Sequence, residues 1–172
     1  MPKTSLPAYI LKDCTLVTAT GNRIGQVSEI TIPVLEKTME EIRNAGMIKP
    51  REVTMGWEVM TCAFKETAFD PDMLALFDIN ADSKIIARGY LQSEDGTEHA
   101  ARFEMFADVK KIDAGSWATA SKAEAEYEVT VHSGTLFVST GGADREILDF
   151  DDFSIRVNGV EQMPGRRGAL GL

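Results

Sequence analysis

The sequence predicts a mainly β fold, a barrel or sandwich of seven or eight short strands. Apolar and polar residues alternate over many short stretches, which is the period of a strand with one buried face. Turn signals such as Asp95-Gly96 and Asn158-Gly159 separate these stretches. The chain has 172 residues, of which 44% are hydrophobic and 26% charged. It therefore fits a single packed domain over residues 1–172.

Strands account for most of the predicted elements. The alternating segments are residues 24–32, 52–66, 85–92, 100–109, 124–131, 135–140, 145–150 and 153–157. The loop 94–97 joins two of them, because Asp95-Gly96 supplies the positive φ angles of a tight hairpin turn. Ser133-Gly134 predicts another turn, and residues 110–123 are predicted as a loop.

One flanking helix is predicted over residues 71–79. Asp70 can cap free backbone N–H groups, Pro71 suits the first helical position, and Asp72 lies at the positive end of the helix dipole. The apolar side chains of the segment 73–77 are expected to pack on the sheet rather than to bind a cofactor.

Residues 33–51 are ambiguous. Leu35, Met39 and Ile42 follow helical spacing, so the pattern taken alone favours a helix. Pro33 and Pro50 bracket the segment and predict interruptions there. A connection of this length is uncommon in a small β domain, and such connections are often functional.

The formal net charge is −9, and the excess of acid lies in the middle of the chain. Residues 51–150 hold nineteen acidic and nine basic residues, whereas the flanking segments are close to neutral. Tight binding of nucleic acid is disfavoured, since that affinity comes from basic residues. The simplest explanation is a solvated acidic surface that aids solubility.

Cys14 and Cys62 are the two cysteines, too few and too far apart for a disulfide framework or a thiolate metal site. A reducing compartment is therefore expected. The longest apolar run, residues 73–77, is far shorter than the roughly 20 residues of a membrane span. Residues 6–11 are interrupted by Pro7 and are too short for a secretory signal. We therefore expect a soluble chain made and kept in the cytosol.

Signatures of catalysis are missing from the sequence, which has no GxxxxGK, GxGxxG, HExxH or GxSxG run. His99 and His132 have no metal-ligand or catalytic partner at a recognisable spacing in the sequence, and both are expected at surface or edge positions. Two weaker patterns stay open. Glu126 and Asp149 could serve as the acid and base of a glycoside hydrolase. Asp149 with Asp151 and Asp152 could bind calcium, although the loop spacing of a calcium motif is missing.

Three glutamates, Glu124, Glu126 and Glu128, fall on one face of the predicted strand 124–131. Alternate residues on a strand lie about 7 Å apart, so three carboxylates repel each other. That face must be wet, or paired with Lys or Arg of another strand or subunit.

Several segments, taken in order, resemble the major tail tube proteins of contractile-tailed bacteriophages. They are residues 25–33 (GQVSEITIP), 40–47 (EEIRNAGM), the central hairpin around Gly96, and the ending formed by 158–160 (NGV) with 166–172 (RRGALGL). The likeness covers nearly the whole chain. The chain also resembles the tube proteins of phage-derived bacteriocins and related contractile injection systems.

The resemblance implies a structural, non-enzymatic virion protein with no cofactor and no metal. Such proteins form hexameric rings that stack into the inner tail tube, the conduit for DNA delivery into the host. The implied partners are further copies of the chain, the tail sheath outside, and baseplate and terminator proteins at the ends. DNA would pass without specific binding, and the chain would not insert into a membrane. Assembly would take place in the cytoplasm of the host bacterium.

The resemblance also implies that residues 36–54 form an extended inter-ring loop in place of the helix. The contact residues carried over are Glu40, Glu41, Ile42, Arg43, Asn44, Ala45, Gly46, Met47, Ile48, Lys49 and Pro50, together with Arg166 and Arg167 in the tail. Two other classes remain as alternatives: a monomeric ligand-binding β-barrel and a carboxylate-dependent hydrolase.

Overall fold

Twelve strands and two short helices make up the described part of the chain, which in the computed structural model comprises residues 9–67, 70–77, 83–119 and 122–171. The strands are β1 Ile10–Thr18, β2 Gly21–Asn22, β3 Val27–Thr31, β4 Lys37–Ile42, β5 Arg51–Trp57, β6 Met60–Glu66, β7 Ser83–Gln92, β8 Glu98–Asp113, β9 Ala125–Thr140, β10 Ala143–Phe150, β11 Ile155–Val157 and β12 Val160–Glu161. A 3-10 helix covers Pro71–Leu76, and α1 covers Pro164–Leu170. The predicted mainly β class is confirmed.

The long strand β9 organises the main sheet. It pairs with β8 along nearly its whole length, while β6 pairs with its first half and β10 with its second half. From β8 the sheet continues through β7 to β1 and β2, and β3 pairs with β6. Because β3 follows directly after β2 and lies against β1, the strands β1, β7, β8, β9, β6 and β3 close into a ring. All these pairings are antiparallel.

The ring encloses the apolar core. Phe64 stacks on Tyr127 with ring centroids 4.8 Å apart, and Phe103 packs near Phe150. The other buried apolar residues come from strands of the ring, from β10 and β11, and from the 3-10 helix: Leu16, Met60, Cys62, Met73, Leu76, Ile85, Ala87, Met105, Ala107, Val109, Ala125, Val129, Val131, Leu148 and Ile155. Large aromatic and aliphatic side chains thus fill the interior, as is usual in small barrels.

The predicted turn at Ser133-Gly134 is wrong, because both residues lie within the single strand β9. A Cβ atom at Gly134 would lie 3.1 Å from the Phe103 ring and 3.2 Å from the carbonyl oxygen of Glu104. The glycine is therefore needed for close approach of two strands, and not for a positive φ. The predicted loop 110–123 also begins later, since β8 continues to Asp113.

Three further boundaries differ from the prediction. The segment 52–66 is not one strand: β5 and β6 are separate strands in two different sheets. The alternation of apolar and polar residues did not indicate β1. Its first four residues are all exposed, so they do not alternate between buried and exposed positions. The helix predicted over 71–79 is a 3-10 helix that ends at Leu76, and residues 78–79 lie outside the described residues. Its predicted cap is present, as the Asp70 carboxylate accepts a hydrogen bond from the Asp72 N–H at 2.9 Å.

A charged cluster ties the 3-10 helix to the end of the barrel. The Arg23 guanidinium forms an ion pair with Asp70 and lies 3.7 Å from Glu66, and both Arg23 and Glu66 are buried. Arg23 also donates to Thr20 Oγ1 at 2.8 Å. Burial raises the pKa of Glu66, and the Arg23 charge opposes that shift. The hydrogen bond from Arg23 lowers the pKa of Asp70.

The two histidines differ. His99 was expected at the surface or an edge, and that expectation is wrong: it is buried between two hydroxyl groups, with Nε2 2.8 Å from Ser93 Oγ and Nδ1 2.6 Å from Thr140 Oγ1. His132 is exposed. Among the described residues, no helix is long and apolar enough to cross a membrane.

Basic residues of neighbouring strands lie beside Glu126 and Glu128 of β9, which is one of the two arrangements that the repulsion between the glutamates allowed. Lys110 lies 2.8 Å from Glu128, and Lys65 is paired in register with Glu126. The Lys110 ammonium lowers the pKa of Glu128.

Candidate assembly interface

A two-stranded ribbon, which we call the arm (residues 36–58), stands apart from the main sheet. Its strands β4 and β5 pair in register from Lys37 opposite Trp57 to Ile42 opposite Arg51, and in the described chain they pair with no other strand. At its base the N–H of Glu58 donates to the carbonyl of Glu36 at 2.9 Å.

The arm is extended, so the helix that the apolar spacing favoured is wrong. All six residues of β4 are exposed, and Met39 and Ile42 therefore do not form the buried stripe of an amphipathic helix. The extended conformation that the resemblance implied is the one observed. A cross-strand ladder satisfies the backbone groups of the segment without any buried helix face.

The tip of the arm (residues 43–50) turns through Gly46, whose φ of +89° is a left-handed value that favours glycine. The N–H of Met47 donates to the carbonyl of Asn44 at 3.1 Å and closes the turn. Ile48 follows, with its side chain 98% exposed. A large apolar side chain is thus held at the farthest point of the ribbon from the barrel.

The arm is poorly stabilised as an isolated element. Besides Ile48 it exposes the large apolar side chains Met39, Ile42, Val53 and Met55. Glu41 lies directly opposite Glu52 in the ladder, and like charges at such positions are destabilising. A lone two-stranded hairpin is marginal in water even without such a pair. The arm is therefore marginally stable on its own and leaves an apolar surface exposed.

The C-terminal tail lies beside the base of the arm, at the end opposite the tip. Arg166, in the exposed helix α1, donates from Nη1 to the carbonyl of Phe153 at 3.4 Å. The side chain of Arg167 lies outside the described residues. The structure thus gathers residues 40–50 at or near the tip of the arm, and it places Arg166 beside the base of the arm and not beside those residues.

A surface groove, the basal groove, lies between the base of the arm and the C-terminal segment and has a volume of about 560 Å³. It combines exposed apolar side chains with a rim of carboxylates, and the lining residues used below are Met55, Trp57, Glu58, Val59, Asp152, Phe153, Glu161, Met163 and Arg166. At its edge the Lys37 ammonium lies 5.2 Å from the centre of the Trp57 ring, a cation–π contact.

Sequence reasoning missed the basal groove. Its lining comes from three separate chain segments, 55–60, 130–132 and 150–166, which the pairing of β6 with β9 and of β9 with β10 brings together. The exposed apolar residues at the base of the arm were the available signal, since the segment 57–64 is unusually apolar.

The geometry does not support the two carboxylate sites left open by the sequence. Glu126 and Asp149 lie near opposite ends of β9, because Asp149 pairs with Thr135, nine residues along the strand from Glu126. That separation is about 30 Å, far beyond the 5–10 Å of glycosidase carboxylates. Asp149 is instead engaged by Thr135 at 2.8 Å and by Arg156 at 3.4 Å. Over the described residues, no three potential ligands gather into a metal site.

Known structures share this fold at low sequence identity. A chain of the PVC sheath-tube complex of an extracellular contractile injection system, in its extended state, is similar with a TM-score of 0.53 at 12% identity, over 81% of this chain and 94% of that one. The sheath/tube terminator of the same system gives 0.54 at 11% identity, over 81% and 100%. The tube-terminating cap of the anti-feeding prophage gives 0.53 at 12% identity, over 82% and 100%.

Sequence comparison gives a more specific result. No curated protein matches the chain in sequence. The family profile of phage tail tube protein FII, however, matches residues 8–171, nearly the whole chain. The match covers the barrel, the arm and the C-terminal segment together. The family is a structural one, whose members are tail tube components of contractile particles. The chain belongs to the phage tail tube protein FII family.

Proposed function

We propose that six copies of this chain form a ring, and that the rings stack into the inner tube of a contractile phage tail that conducts DNA into the host. The observation that carries the proposal is the arm, which extends from a complete barrel and exposes five large apolar side chains. An exposed surface of this kind marks an interaction site.

The arm is the proposed inter-ring contact. A contact between a tip and a different surface of another subunit is heterologous, and heterologous contacts propagate into rings or filaments. Residues 40–50 supply this contact, and Arg166 and Arg167 add basic groups near the adjoining subunit. The barrel core has no part in it and serves to hold the base of the arm in place.

The proposed partners follow from this placement. The outer surface of the tube contacts the sheath, and the tube ends meet baseplate and terminator proteins. Assembly takes place in the cytoplasm of the host bacterium. The acidic excess of residues 51–150, which supply most of the barrel strands, is compatible with DNA passing through the tube without adhering to its wall.

A tube that carries no DNA is the second candidate. Tube and cap proteins of extracellular contractile injection systems and of the anti-feeding prophage share the fold. Capsid and DNA-packaging genes beside this one would favour the phage, and their absence from a complete gene cluster would favour the injection system.

Negative-stain electron microscopy of the purified full-length chain, over a series of rising concentrations, tests the proposal. We expect six-fold rings or tubes with a central hole. A monodisperse particle of 18.9 kDa at the highest concentration would contradict it and would favour a monomeric barrel.

A further inference from the structure

The basal groove and the tip of the arm are complementary in charge. Residues 43–51 carry three basic residues, Arg43, Lys49 and Arg51, and no acidic one. The rim of the groove carries Glu58, Asp151, Asp152 and Glu161 against Arg166, with the Lys37 ammonium at its edge. Asp151 is occupied by its own turn, where its carboxylate accepts the N–H groups of Phe153 and Ser154 at 2.7 Å. Glu58 accepts a hydrogen bond from Thr38 Oγ1 at 2.8 Å through one carboxylate oxygen, and Asp152 and Glu161 complete the acidic rim.

The two surfaces are also complementary in shape and polarity. The groove is concave and exposes Met55, Val59, Phe153 and Met163. The tip presents the almost fully exposed side chain of Ile48. An apolar anchor that fills a pocket inside a charged rim is the usual arrangement of a strong protein contact.

A chain cannot place its own tip in its own groove. The groove opens beside Trp57, and the ladder runs six residues from that point to Arg51. A strand of that length puts the tip about 20 Å from the base. A tip that enters the groove therefore comes from a second copy.

From this geometry we infer that the tip of one protomer, with Ile48 as its anchor and Lys49 beside it, docks in the basal groove of another protomer. The inference rests on the proposed function and specifies its contact. Every protomer then donates one tip and receives one, so the interaction extends indefinitely along the tube.

Cysteine cross-linking tests the contact directly. The variants Ile48→Cys and Val59→Cys place one thiol on the tip and one in the groove, at side chains that are 98% and 71% exposed. The two proteins are mixed, assembled and oxidised. We expect a covalent dimer in the mixture at about ten times the yield given by either variant alone or by wild type, which keeps Cys14 and Cys62. Ile24→Cys, also exposed but outside the groove, replaces Val59→Cys in the matched control mixture.

Charge reversal gives an independent readout. Lys49→Glu and Asp152→Lys should each raise the protein concentration needed for assembly about fivefold, and the protein that carries both should return to within about twofold of wild type. Lys12→Glu, an exposed lysine outside the tip and groove, is the control for the change in net charge.

The outcomes separate this inference from the proposed function. Tubes in wild type, with cross-linking in the mixture and rescue by the double reversal, would support both. Tubes in wild type, with cross-linking no greater than in the controls, would overturn the docking inference and leave the tube function standing. Failure of wild type to form rings or tubes would overturn both.

Discussion

β5 and β6 are adjacent in the chain and have seven residues each, yet they differ in almost every physical respect. β6 alternates strictly, with Met60, Cys62, Phe64 and Glu66 buried. β5 also alternates apolar residues, but its first five residues are exposed. An alternating pattern therefore does not show by itself whether one face of a strand is buried within the same chain. In this protein the alternating residues of β6 are buried in the barrel, whereas the first five residues of β5 stay exposed in the arm.

The largest expected effect comes from truncating a buried side chain of β6. Phe64→Ala should lower the free energy of unfolding by about 3–5 kcal/mol, because it removes a ring that is 1% exposed and stacked on Tyr127. Val53→Ala in β5 is the matched truncation and should change it by no more than about 0.5 kcal/mol. Urea unfolding of both variants measures the difference. Equal losses would mean that β5 belongs to the folding core.

The buried ion pair between Arg23 and Glu66 of β6 should give the next largest effect on stability. Arg23→Met leaves Glu66 buried without its cation, and breaking a buried pair in this way costs about 3 kcal/mol or more. The double variant Arg23→Met with Glu66→Leu removes both charges and should recover a substantial part of the loss. Thermal unfolding compares the two, and a double variant less stable than the single one would show that the pair is favourable in itself.

Acid should destabilise the barrel below about pH 4. The pKa values of Asp70, Asp95, Glu104 and Glu128 are all lowered in the fold, chiefly by hydrogen bonds from Arg23, Thr97, Lys84 and Lys110 in turn. Such groups stabilise the fold fully above the unfolded pKa of about 4, and their contribution is lost as the pH falls through the folded values. The raised pKa of Glu66 acts in the opposite sense, because protonation relieves the cost of its burial.

Urea midpoints at pH 7, 5 and 3 check this pH dependence. Stability should change little from pH 7 to 5 and then fall steeply by pH 3. In Asp95→Asn the decline should be shallower, because one of the depressed carboxyl groups has been removed. A protein as stable at pH 3 as at pH 7 would refute the assignment.

The smallest effect is expected in the arm itself. Glu52→Lys replaces the repulsion between Glu41 and Glu52 with an attraction and should stabilise the ribbon by about 0.2–1 kcal/mol. Hydrogen exchange should become slower at the amides of β4 and β5 in the unassembled protein, with no change at β9. Equal slowing in β9 would mean that the arm and the barrel unfold as one unit.

Much of the barrel was predictable because its strands obey a local rule. The hairpin of β7 and β8 is present where Asp95-Gly96 predicted it, and the paired glutamates of β9 have their expected basic partners. The predictions that failed did so because of contacts between residues that are far apart in the sequence. Gly134 signalled a turn, but it is a glycine because the Phe103 ring packs against it from another strand.

The candidate interface was predictable in part. The extended conformation of the arm could be predicted through the resemblance, whereas the apolar spacing favoured a helix, since Met39 and Ile42 mimic a helical stripe without being buried. The basal groove could not be predicted, because Val59, Phe153 and Met163 meet only after β6, β9, β10 and β11 have paired.

Shortening the arm tests most directly whether it serves assembly and not folding. Residues 44–48 are replaced by a short glycine linker, and electron microscopy of the assemblies is combined with urea unfolding of the same preparation. We expect the unfolding free energy of the unassembled protein to stay within about 0.5 kcal/mol of wild type, while ring stacking is largely lost. Tubes of undiminished length and stability, or a barrel that no longer folds, would contradict the separation of the two regions.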